Sequence, residues 1–105
     1  MTQNAIEQLR AMRDGPRDGA LLRVSLANAL LAQSDTLAAI DELREALRFD
    51  PDYSAAWKLL GKALADAGEA SAAIAAYRSG IAAAIKRGDK QAQKEMAVFL
   101  RRLAK

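Results

Sequence analysis

The chain repeats itself with a period of 34 residues. Laying residues 20–53 over residues 54–87 gives seven identical pairs: Leu26/Leu60, Ala29/Ala63, Leu30/Leu64, Ala38/Ala72, Ala39/Ala73, Ile40/Ile74 and Arg44/Arg78. Ala27/Gly61, Leu43/Tyr77 and Leu47/Ile81 agree in kind. A unit of this length cannot bury its own apolar face. It has to stack on a neighbour, and a fixed period of this size marks a stacked array of helical units.

Composition settles which secondary structure repeats. The apolar residues are mainly Ala and Leu, both strong helix formers, and no alternating Val/Ile/Thr run argues for a strand. The expected fold class is all-α, in one domain of 105 residues.

Turn and cap residues punctuate the helices. Ala5, Ile6, Leu9 and Met12 form an apolar stripe on a first helix over about 2–13, and Asp14-Gly15-Pro16-Arg17-Asp18-Gly19 ends it. Asp18 is the expected N-cap of a second helix reaching about Gln33. Ser34 and Asp35 connect to a third over 36–49. Pro51 disfavours helical geometry at Asp50, so Asp50-Pro51-Asp52 separates it from a fourth over 53–67. Gly68 and Gly88 close the fourth and fifth, and Asp89 caps a last helix over about 90–104. Short connections make antiparallel neighbours, so 20–53 and 54–87 each read as a helical hairpin. Residues 1–19 and 88–105 flank them.

The chain has no cysteine and no histidine, which excludes disulfides, thiolate chemistry and the usual zinc ligand sets. Its serines have no histidine to activate them and no Ser-x-x-Lys spacing, so catalysis is not expected, nor any cofactor. Most acidic residues fall where caps and outer helix faces expect them. No signal-peptide core or membrane-length apolar run occurs, so a cytoplasmic protein is expected.

The segment Asp50 to Ile81 resembles a tetratricopeptide repeat. Trp57, Leu60, Gly61, Leu64, Gly68, Ala73, Tyr77 and Ile81 fall at its signature spacings. In the preceding unit Leu26, Ala27, Leu30, Ala39, Leu43, Ala46, Leu47 and Pro51 do the same. Two departures stand out: Arg23 replaces the first unit's large aromatic, and Ile85 the second unit's closing proline. The resemblance implies a right-handed superhelical array of two hairpins, flanked by a degenerate N-terminal half-repeat helix and a C-terminal capping helix. It also implies a protein-interaction module with a concave groove.

Mapped by that resemblance, the groove-facing residues are Val24, Asn28, Leu31, Lys58, Leu59, Lys62, Asp66 and Gln93, with Leu21, Ser25, Ala32 and Ala55 beside them and Asp89 and Met96 at the open edge. Lys58 and Lys62, four apart, share a helix face, and Asn28 is the counterpart of Lys62. The expected ligand is a peptide or protein segment, acidic or amide-rich, held beside Leu21, Val24 and Leu59. A full carboxylate clamp for chaperone tails is incomplete: Val24 and Leu59 replace its lysine and asparagine.

Two other readings remain. Net charge is +3, and residues 86–105 carry seven basic and two acidic groups. Lys90, Lys94, Arg101 and Lys105 oppose an apolar face of Ala92, Met96, Phe99, Leu100 and Leu103. A cap with its charges in water accounts for this. Adhesion to nucleic acid or an anionic surface is the alternative, although no aromatics interleave with the charges. Self-association through Ile6, Leu9 or Leu22 is the other.

Overall fold

The computed structural model describes residues 3–105. It contains helices α1 (Gln3–Ala11), α2 (Ala20–Ala32), α3 (Thr36–Phe49), α4 (Ser54–Asp66), α5 (Ala70–Arg87) and α6 (Lys90–Leu103), with no strand among the described residues. Each helix packs on the next in sequence, and α4 also touches α6. The all-α repeat array is therefore the fold. The expected helix start near Thr2 lies outside the described residues, and α1 stops at Ala11 rather than Arg13.

Buried residues recur at the period. Leu26 and Leu60, Ala29 and Ala63, Ala39 and Ala73, and Leu43 and Tyr77 are all nearly inaccessible. Small residues set the distances between helices. A Cβ on Gly61 would stand 2.5 Å from Cε1 of Tyr77, so the Tyr77 ring lies directly on the α4 backbone. Gly80 does the same for α6: a Cβ there would meet Met96 and stand 2.6 Å from Cβ of Trp57. Interiors are close-packed, so these two glycines fix how near the helices approach.

The turns follow local chemistry. Gly68 has φ +81° and Gly88 +71°, both in the left-handed region. Ser34 holds the place of Gly68 one period earlier at φ +63°. Asp35 accepts from the Ala38 N–H at 3.4 Å and Asp89 from the Ala92 N–H at 3.1 Å, so both cap as expected.

Asp18 does not cap α2. The N-cap is Gly19, without a side-chain hydrogen bond, because the Asp18 carboxylate is held elsewhere. It accepts from Nε and Nη2 of Arg23 at 2.9 and 2.8 Å, and from the Gly19 and Asp14 N–H groups. Arg23 also donates from Nη1 to Glu42 at 3.0 Å, and Glu42 accepts from Arg13 at 2.8 Å. Arg23 and Glu42 are both buried, so Glu42 is not on an outer face, where most acidic residues were expected. In the second unit Trp57 takes the position of Arg23, and its indole N–H donates to the Pro51 carbonyl at 2.7 Å.

The period slips at the end. α4 begins 34 residues after α2, but α6 begins 36 residues after α4. The cause is α5, 18 residues long against 14 for α3. The equivalent of Leu60 is thus Met96, both fully buried, and the equivalent of Leu59 is Glu95.

Candidate functional site

The face on which α2, α4 and α6 lie side by side carries a cavity of about 300 Å³. It is lined by Val24 and Asn28 of α2, Ala55, Lys58, Leu59 and Lys62 of α4, and Glu95 and Phe99 of α6. Helix periodicity explains the α4 set, since positions 55, 58, 59 and 62 share one stripe. Five of the eight predicted groove residues meet here: Val24, Asn28, Lys58, Leu59 and Lys62.

Leu31 and Asp66 lie further along the face. With Ser34, Thr36, Lys62 and Ala63 they line a second cavity of about 240 Å³ between the ends of α2 and α4. A third, about 410 Å³, is bounded by Lys62, Ala65 and Asp66, by Tyr77, and by Phe99, Arg102 and Leu103. Lys62 borders all three.

α6 presents a different face from the one predicted. Gln93 is half-buried and lines none of these cavities. Met96 is fully buried and packs toward Gly80, and Asp89 is engaged by the Ala92 N–H and by the Ser54 hydroxyl at 2.8 Å. Those bonds, the Ala92 N–H first and Ser54 second, hold the Asp89 carboxyl below the usual carboxylate range and pin the start of α6 to the start of α4. The residues facing the groove are Glu95, Phe99 and Arg102: the slip of the period puts Glu95 at the place of Leu59, two positions after Gln93, which the 34-residue mapping puts there. Two positions are about 200° of helix rotation. Phe99 is half-buried and lines two of the cavities instead of being spent wholly on closing the stack.

The two lysines are not equivalent. Nζ of Lys58 lies 3.3 Å from Oε1 of Glu95, with both side chains part-exposed. Lys62 is exposed and makes no ion pair among the described residues. Sequence reasoning missed Glu95 and Phe99 because their signal was the length of α5, which decides the phase of α6.

Among the described residues no group of His, Cys, Asp or Glu is placed to hold a metal ion. No helix among them is long and apolar enough to cross a membrane. The surface expected for self-association is covered at Ile6, which is 1% exposed, and half-covered at Leu9 and Leu22. Among the described residues the exposed large apolar side chains are Met12, Leu21, Leu37, Phe49 and Ile85.

Comparison with known proteins agrees with this architecture. The tetratricopeptide-repeat family model matches residues 3–52 and 24–92. A TPR repeat-containing protein of Pseudomonas aeruginosa is 47% identical over 98 residues, 93% of each chain. The solution structure of a Bordetella parapertussis protein is 48% identical with a TM-score of 0.82, covering 98% of this chain and 90% of that one. A tetratricopeptide repeat domain protein of Salinibacter ruber is 26% identical with a TM-score of 0.78, covering 86% of this chain and 90% of its own. With the family match spanning residues 3–92, this chain belongs to the tetratricopeptide-repeat family, a family of protein-interaction modules.

Proposed function

We propose that this protein is a cytoplasmic adaptor that holds a peptide segment of a partner protein against the α2–α4–α6 face, through a carboxylate on the segment and apolar side chains beside it. One observation carries the reading. Lys62, a cation with no ion pair among the described residues, stands at the meeting point of three cavities whose other walls include Val24, Leu59, Phe99 and Leu103. A ligand carboxylate at Lys62 makes a charged hydrogen bond, while neighbouring apolar side chains leave water against those walls. Asn28, exposed on α2, supplies an amide donor and acceptor for the ligand backbone.

The test is selection of a random twelve-residue peptide library displayed on phage. Peptides enriched on the parent should pair an acidic residue with apolar ones. Their affinity should fall about tenfold or more for a Lys62→Ala variant, as expected for a charged hydrogen bond of about 1.5–3 kcal/mol. Equal binding to parent and variant overturns the reading, and so does a selection that enriches no peptide.

A further inference from the structure

The cavity at Val24 and Leu59 has its own internal anion. Two cations line it, Lys58 and Lys62, and α6 places Glu95 against one of them. Its charge is therefore that of one cation, not two. We infer that Glu95 is a specificity-determining residue: it neutralises Lys58, so the groove takes a segment with a single carboxylate and disfavours a run of acidic residues. This rests on the groove reading above and names the charge of its ligand.

The position of Glu95 is built into the fold. The residue after it, Met96, is fully buried and packs toward Gly80, which fixes the rotation of α6 and keeps position 95 on the groove side of the helix. Asp89 anchors the same helix to α4 through Ser54. The ion pair itself is part-exposed and so contributes little to stability. Its effect on a ligand does not depend on strength. Even with the pair broken, the Glu95 carboxylate stays within a Debye length, about 8–10 Å, of any anion brought to Lys58. A second ligand carboxylate there meets attraction from Lys58 and repulsion from Glu95, which largely cancel. Asp66 acts in the same sense at the other end, lining two cavities with Lys62 without pairing to it.

The geometry of the competing ligand follows. Lys58 and Lys62 are one helical turn apart, about 5–6 Å. In an extended peptide, side chains two residues apart on one face are separated by about 6.5–7 Å. A ligand of the form Asp-x-Asp could address both lysines, whereas Asp-x-Asn or Asn-x-Asp could address one.

The experiment uses a focused phage library with the core Leu-[Asp or Asn]-x-[Asp or Asn]-Leu between random four-residue flanks. It is selected in parallel on the parent, Glu95→Gln and Lys62→Gln, with each fold verified by circular dichroism. The parent should enrich cores with one Asp over cores with none, with two doing no better than one. On Glu95→Gln the ratio of two-Asp to one-Asp cores should rise about fivefold, the scale of a part-exposed charge interaction. An unchanged ratio on Glu95→Gln overturns the inference while leaving the groove reading intact. The groove reading itself falls, and the inference with it, if the parent shows no preference for Asp over Asn or if Lys62→Gln selects the same cores.

Discussion

Arg23 and Glu42 meet between α2 and α3, Nη1 to Oε1 at 3.0 Å, and both are buried. Arg23 stands where the next unit carries Trp57, so the first unit closes with a charge network and the second with an aromatic ring. Asp18 pairs side-on with the same guanidinium, and Arg13 takes the second oxygen of Glu42. Phe49 lies 5.8 Å from the guanidinium carbon, on the cation-attracting face of the ring. Every buried side-chain nitrogen and oxygen among the described residues has a partner, which is the condition for such a cluster to be tolerated.

Removing one member should therefore cost more than removing an exposed ion pair. Arg23→Ala is expected to lower stability by about 2–3 kcal/mol, since Glu42 and Asp18 lose their common partner. The lower end applies because Asp14 and Arg13 leave one side of the cluster open to water. Adding Glu42→Ala should cost less than the sum of the two single variants in urea unfolding, because the pair is coupled.

Acid should undo the two tethered aspartates. The Arg23 guanidinium first, then the Asp14 N–H, holds the Asp18 carboxyl far below its ordinary value, and Asp89 is held below by the Ala92 N–H and Ser54. A carboxyl lowered in the folded state contributes stability that is fully present above its unfolded value, 3.8, and is lost as pH falls below it. Melting temperature should drop below about pH 4. The drop should be shallower in Asp18→Asn, a variant already less stable at pH 7.

Close helix contact should make Gly61 and Gly80 intolerant of any side chain. Alanine has the better helix propensity, by about 1 kcal/mol. Even so, a Cβ on Gly61 would be within 2.7 Å of three ring atoms of Tyr77. We expect Gly61→Ala to cost about 1–3 kcal/mol net, and Gly61→Leu more, by thermal melting. Gly80→Ala should cost at least as much as Gly61→Ala, since the Met96 side chain can yield but Cβ of Trp57, 2.6 Å from the new Cβ, cannot.

Ser34 offers the opposite case. At φ +63° it holds a left-handed conformation that its equivalent, Gly68, adopts without a Cβ. Ser34→Gly should raise stability by about 0.5–1 kcal/mol, the left-handed penalty less the added freedom of the unfolded chain. A lower melting temperature for this variant would show that the turn is held by more than backbone preference.

The sequence by itself determined the all-α array, most helix bounds to within a residue or two, and the α2 and α4 walls of the groove. The array and its helix bounds follow from composition, cap residues and an unbroken period, whereas the α2 and α4 faces were mapped by the resemblance to the tetratricopeptide repeat. The degenerate first unit was partly legible too. Arg23 was visible as a departure, but its partners were not, because Asp18, Glu42 and Arg13 share no motif and meet only when α2 packs on α3. The identity of the α6 face was decided by the tertiary structure alone. α5 runs an extra turn, α6 begins 36 rather than 34 residues after α4, and Met96 takes the buried seat above Gly80. The packing of that one side chain sets the rotation of the helix. It brings Glu95 and Phe99, rather than Gln93 and Met96, to the groove.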